Sequence, residues 1–183
     1  MRSVVMDFET SDLKSDIGTL LVACFGVLDD NEEVVDLRTK TIHSIGNVKR
    51  EDAETRERKL AIWARGQWED ADVIIGQNHL GFDRHFLNGV LFRYNEDMLP
   101  KRILIDTYQT ARGKFAMSAS MKNMLDVWHL GTKDAPDKDD WRKANHGDAK
   151  ALARITQRCE EDVRATARLW QKLKPVYMDW RGR

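Results

Sequence analysis

Asp7-Phe8-Glu9 closes an apolar run near the start of the chain. In an extended strand residues i and i+2 project from one face, so Asp7 and Glu9 stand together while Phe8 points the other way. Adjacent carboxylates repel unless a cation lies between them, and hard divalent ions such as Mg²⁺ take oxygen ligands. The triplet alone is common; its position at a strand end, followed by Thr10-Ser11, singles it out. In Gly76-Gln77-Asn78-His79-Leu80-Gly81-Phe82-Asp83 an apolar strand gives way to a glycine-containing turn and an Asp opens a helix. Asp83 can there be a helix cap or a metal ligand. Asp162 is the third acid of interest, beside the apolar stripe of the last long helix. It is costly to bury unless paired or metal-bound, and Arg158 or Arg164 could pair with it.

The elements that must position these acids follow from periodicity. Residues 2–8, 19–28 and 33–37 read as three strands of an antiparallel meander, with Asp29-Asp30-Asn31 as a turn. Residues 51–68 have a charged helical pattern with Leu60, Ile62, Trp63 and Trp68 inward. Strands are expected at 72–76 and 102–106, and helices at 83–93 and 118–130. Residues 132–147 read as a polar loop with one helical turn around Trp141. A last helix is capped by Asp148 and expected to stop near Leu173, before Pro175. Its stripe is Leu152, Ile155, Cys159, Val163, Thr166, Trp170 and Leu173. This order predicts one α/β domain over residues 1–183.

The chain has 183 residues, 42% hydrophobic and 33% charged, which suits a soluble globular domain. No apolar run approaches the roughly 18–20 residues of a membrane span, and the immediate strand pattern leaves no room for a signal peptide. Two cysteines, Cys24 and Cys159, lie far apart on different expected elements, which argues against a disulfide or zinc site and for a reducing cytoplasm. Net charge is zero, but unevenly distributed. Residues 1–110 carry 14 Lys and Arg against 20 Asp and Glu, and residues 111–183 carry 16 against 10. An acidic part beside a basic one suits a protein holding both divalent cations and a polyanion, although solvated helix faces give the same pattern.

With these residues in view, the chain resembles the DnaQ-like (DEDD) 3′–5′ exonucleases, stand-alone phage and bacterial members above all. Asp7-Phe8-Glu9-Thr10 resembles their first motif, Asn78-His79-Leu80-Gly81-Phe82-Asp83 their second, and Arg158-Cys159-Glu160-Glu161-Asp162-Val163 their third. Leu104-Ile105-Asp106-Thr107 is similar to the strand end after the second motif, and Gly147-Asp148-Ala149-Lys150-Ala151-Leu152 to a lead-in of stand-alone members. The resemblance implies a ribonuclease-H-like fold, a mixed sheet of about five strands with the first three antiparallel, flanked by helices. It implies two divalent ions, Mg²⁺ or Mn²⁺, held by Asp7, Glu9, Asp83 and Asp162, and two-metal phosphodiester hydrolysis at a nucleic-acid 3′ end. Main-chain groups around Phe8–Thr10 and the side chains of Asn78 and Phe82 are implied to seat the terminal nucleotide. The implied substrate is single-stranded, DNA before RNA, in the cytoplasm of a bacterial or phage-infected cell.

One place departs from the pattern. Family members carry a Tyr four residues, or a His five residues, before the last Asp; here Arg158 and Gln157 stand there. Arg stays protonated at working pH and is no general base. Three readings stay open: His146 substitutes, Arg158 holds the phosphate or water while metal ions activate it, or the site is weakened and the protein binds nucleic acid without cutting. His79 and His85 read as local hydrogen-bond partners, and His129 as a satisfied core residue. Trp63, Trp68, Trp128 and Trp170 read as core; Trp141, in the basic loop, is the one to test for substrate contact. A non-catalytic docking module and a ribonuclease-H-like endonuclease or resolvase are the competing functions.

Overall fold

The computed structural model describes residues 1–133, 137 and 139–181. The expected loop at 132–147 therefore falls partly, at 134–136 and 138, outside the described residues.

Runs rich in Val, Ile and Leu form the sheet. β1 (Ser3–Thr10), β2 (Leu20–Leu28) and β3 (Val34–Thr41) pair antiparallel, and β4 (Val73–Gly76) and β5 (Ile103–Asp106) add in parallel, giving the order β3-β2-β1-β4-β5. This is the expected mixed sheet of five strands, first three antiparallel. β2 and β4 are buried almost throughout, as strands covered on both faces must be; β3, at an edge, is half exposed. It pairs on to Thr41, beyond the expected end at residue 37.

Helices flank the sheet. α1 (Ala53–Glu69) starts on Asp52, whose carboxylate accepts from the Thr55 N–H at 2.7 Å, and α2 (Asp83–Arg93) follows β4. Ile62, expected inward on α1, is exposed. α3 (Thr107–Lys114) has no counterpart in the sequence reading, because its short polar TYQTARGK run shows no apolar stripe. α4 spans Met121–Val127, shorter than expected; His129 lies past its end, exposed and at φ +55°, not in the core. The helical turn around Trp141 is α5 (Asp139–Asn145).

α6 (Ala149–Arg181) begins where Asp148 accepts from the N–H groups of Lys150 and Ala151 at 2.9 and 3.0 Å. Every residue of its expected stripe is buried. It does not stop before Pro175 but runs through it, about 50 Å in all for 33 residues. The β2–β3 turn holds this last stretch: Trp170 Nε1 donates to Glu32 at 2.8 Å, Lys174 pairs with the same carboxylate, and Gln171 donates to the Asn31 and Glu32 carbonyls. Those anchors offset the hydrogen bond that Pro175 cannot make. Gly26 on β2 sets how closely α6 lies on the sheet, since a Cβ there would come within 2.8 Å of Val163 Cγ1. Among the described residues no helix is long and apolar enough to cross a membrane.

Candidate metal centre

β1 turns Asp7 and Glu9 toward α6 and sends Phe8 to the opposite face, where its ring meets Phe25 edge-on at 5.8 Å. The β1–β2 register shifts between Glu9 and Thr10, an irregularity that lets the strand bend away beyond the acids. Behind Asp7 lies a sulfur contact the sequence did not disclose. Cys24 sits opposite Asp7 in the ladder with its sulfur 3.3 Å from the Thr39 hydroxyl, and the Cys159 thiol donates to the Asp7 carbonyl at 3.3 Å. Both cysteines are free thiols, and burial pushes that of Cys159 well up, so it stays protonated and remains a donor.

Asp83 arrives on the first turn of α2, and Asp106 builds the turn that delivers it. The Asp106 carboxylate accepts from the Asn78 and Leu80 N–H groups at 3.0 Å each and from Gln109 N–H at 3.1 Å, so it fastens the β4–α2 turn and caps α3 at once. Asn78 takes φ +61°, a conformation Asn tolerates better than most residues. β4 has ended by the level of Phe8, and Asp83 Oδ1 accepts the Phe8 N–H at 3.2 Å in place of a strand partner.

From α6, Asp162 completes the cluster. Asp7, Glu9 and Asp162 each offer a carboxylate oxygen within 4.8 Å of the others. Asp83 is outside that triangle but adjacent, and after burial it is the largest influence raising the Asp7 pKa. Two like charges at such separations repel by about 3 kcal/mol per pair at an effective dielectric of about 20. The acids respond as that predicts. Burial, then Asp83, Asp162 and Glu9, hold Asp7 well above the usual carboxylate range; burial raises Glu9 and Asp83 each to about 7.

Three other side chains reach these acids. Lys133 Nζ donates to Asp162 Oδ2 at 2.7 Å, Trp141 Nε1 to Glu9 Oε2 at 2.6 Å, and Arg158 lies 3.7 Å from Glu9 and 3.8 Å from Asp162. The Arg158 guanidinium also stands over the Trp141 ring at 5.8 Å. Sequence reasoning had Arg158 and Trp141 in view, the latter for substrate, and missed Lys133. Nothing in its spacing to Asp162 could have revealed it, because a non-helical stretch brings it there. A cavity of about 430 Å³ between α4, α5 and α6 has Lys133, Trp141, Arg158 and Asp162 in its wall.

The remaining residues of interest are spread around this centre. Phe82 packs on Phe86 at 5.7 Å and lines a second cleft with Leu13, Lys14 and His85, and Asn78 is exposed. The Phe8 side chain is buried, so only its main chain faces the centre, and the Thr10 hydroxyl donates to the Asp12 carbonyl at 2.7 Å. His146 is exposed at the end of α5, its Nδ1 2.7 Å from the Arg142 carbonyl, away from the carboxylate triangle. His79 is fully buried, and that burial lowers its pKa to about 4.

An all-oxygen donor set whose members push each other's pKa upward fits a hard divalent cation better than any neutral ligand.

No protein-family profile and no curated protein matches the sequence. Among solved structures, the family B DNA polymerase from the hyperthermophilic archaeon Pyrobaculum calidifontis is similar over 96% of this chain, at a TM-score of 0.73 and 16% identity. The fold is ribonuclease-H-like. The chain spans 25% of the length of that polymerase chain, and at such low identity the likeness carries the fold alone.

Proposed function

We propose that the chain is a metal-dependent 3′–5′ exonuclease of the DnaQ-like kind, acting as one domain on single-stranded nucleic acid, DNA before RNA. The observation that carries this reading is the approach of Asp7, Glu9 and Asp162 to within 4.8 Å on elements drawn from both ends of the chain. A fold shared with a DNA polymerase supports it.

Asp7, Glu9, Asp83 and Asp162 would hold divalent cation, Mg²⁺ or Mn²⁺. Such an ion supplies an activated water and stabilises charge on the phosphate oxygens. In the reaction a water oxygen bonds to the terminal phosphorus and the bond from phosphorus to the 3′ oxygen breaks. The water gives up a proton, the departing oxygen gains one, and a nucleoside 5′-monophosphate is released. Main-chain groups of Phe8–Thr10, with Asn78 and Phe82, seat the last nucleotide. Arg158 holds the phosphate, a role its geometry between Glu9 and Asp162 favours. His146, bound at the Arg142 carbonyl, is less well situated.

The test is end-labelled single-stranded DNA and RNA with Mg²⁺ or Mn²⁺. Nucleotides are expected to leave from the 3′ end, and Asp7→Ala to slow this by about 100- to 1,000-fold or more. Internal cuts in a closed circle would favour an endonuclease instead. Metal-independent binding without any hydrolysis would favour the second reading, a nucleic-acid-binding module, for which Arg158 in the place of Tyr is the argument.

A further inference from the structure

Counting charge at the centre exposes an imbalance with two divalent ions. Among the described residues, four carboxylates, Asp7, Glu9, Asp83 and Asp162, meet two cations, Lys133 and Arg158. One divalent ion would bring that set to neutrality. A second would leave a partly buried centre with two surplus positive charges before any substrate arrived, and burying uncompensated charge is expensive.

The oxygen atoms repeat the count. Trp141 takes Glu9 Oε2, Lys133 takes Asp162 Oδ2, and Phe8 N–H takes Asp83 Oδ1. Among the described residues no hydrogen bond reaches the Asp7 carboxylate, Glu9 Oε1 or Asp162 Oδ1. Asp7, Glu9 and Asp162 each bring one oxygen to the mutually close triangle, enough for one ion completed by water. Asp162, the acid that would be needed to share a second ion, already has an ammonium at 2.7 Å. Lysine and arginine do for a phosphoryl group what Mg²⁺ does, neutralising its charge from a fixed position.

We propose that this centre takes a single divalent ion, with the Lys133 ammonium, backed by the Arg158 guanidinium, standing where a second ion would otherwise sit. The inference rests on the metal-dependent reading above and deepens it: Lys133 is a substrate-phosphate ligand as well as the partner of Asp162.

The test is a count of bound Mn²⁺. Chelator-stripped protein at pH 8 is titrated with Mn²⁺ while the free ion is followed by electron paramagnetic resonance, with and without thymidine 5′-monophosphate. One ion per chain is expected for the natural protein under both conditions, and two per chain for Lys133→Met with the nucleotide present. Two ions in the natural protein would overturn the inference and leave the exonuclease reading standing. One ion in Lys133→Met would overturn it as well, since the lysine would then not be what excludes the second. No bound ion at all would overturn it together with the metal reading. One bound ion in a protein that hydrolyses no nucleic acid would support it while defeating the exonuclease. The count in the natural protein needs no variant to fold.

Discussion

Replacing Trp141 by Phe removes the indole N–H that Glu9 accepts at 2.6 Å while keeping an aromatic ring beneath Arg158. That hydrogen bond opposes the burial that raises Glu9 to about 7. The variant is therefore expected to bind Mn²⁺ about 10-fold more weakly, the scale of losing a group that orients a ligand. Its binding should also need a higher pH to reach half its maximum. A titration of Mn²⁺ affinity between pH 6 and 9 reads both effects, and an unchanged profile would remove Trp141 from the centre. At this scale the sequence disclosed what local geometry controls. Asp7 and Glu9 share a face because a strand alternates, and Asp162 flanks a buried stripe because a helix repeats. Lys133 and the Trp141–Glu9 bond depend on how segments 29 and 132 residues apart come to rest. No periodicity encodes that.

Asp106 joins elements that would otherwise be independent. Its carboxylate closes the β4–α2 turn and starts α3, so Asp106→Ala orphans three N–H groups in one step. A loss of about 3 kcal/mol is expected in urea unfolding, since hydrogen bonds to a charged acceptor are the stronger kind. Metal affinity should fall too, because the turn positions Asp83. Loss of stability with intact affinity would show that the turn holds without it. In the sequence Asp106 was visible as an acid at a strand end, but its work on a turn 26–28 residues earlier was not. The strands were legible from their apolar runs. α3 was not, because a polar eight-residue helix owes its existence to its cap rather than to a stripe. Pro175 misled for the converse reason: a local breaker was outweighed by tertiary anchors at Glu32.

Across the whole molecule the raised acids tie stability to pH and to metal. Glu9 and Asp83 release their protons near pH 4 in the unfolded chain and near pH 7 in the folded one. Between those values the folded chain holds protons the unfolded chain has lost, so metal-free stability falls as pH rises through that window. Thermal unfolding in chelator is expected to show a lower Tm at pH 8 than at pH 5.5, and a shallower fall in Glu9→Gln. Added Mn²⁺ should raise Tm more at pH 8 than at pH 5.5, because the ion binds the ionised acids and stabilises only the folded chain. Equal metal shifts at both values would mean these carboxylates are not the ligands.

The centre takes Asp7 from the first strand and Asp162 from the last helix, with Cys159 and Val163 seating that helix against β1 and β2. On a ribosome the chain emerges from its N-terminus, and contacts this distant in sequence close late. Asp7, Glu9 and Asp83 are thus synthesised long before the acid that completes them. A growing chain has no finished carboxylate triangle until residue 162 has left the exit tunnel.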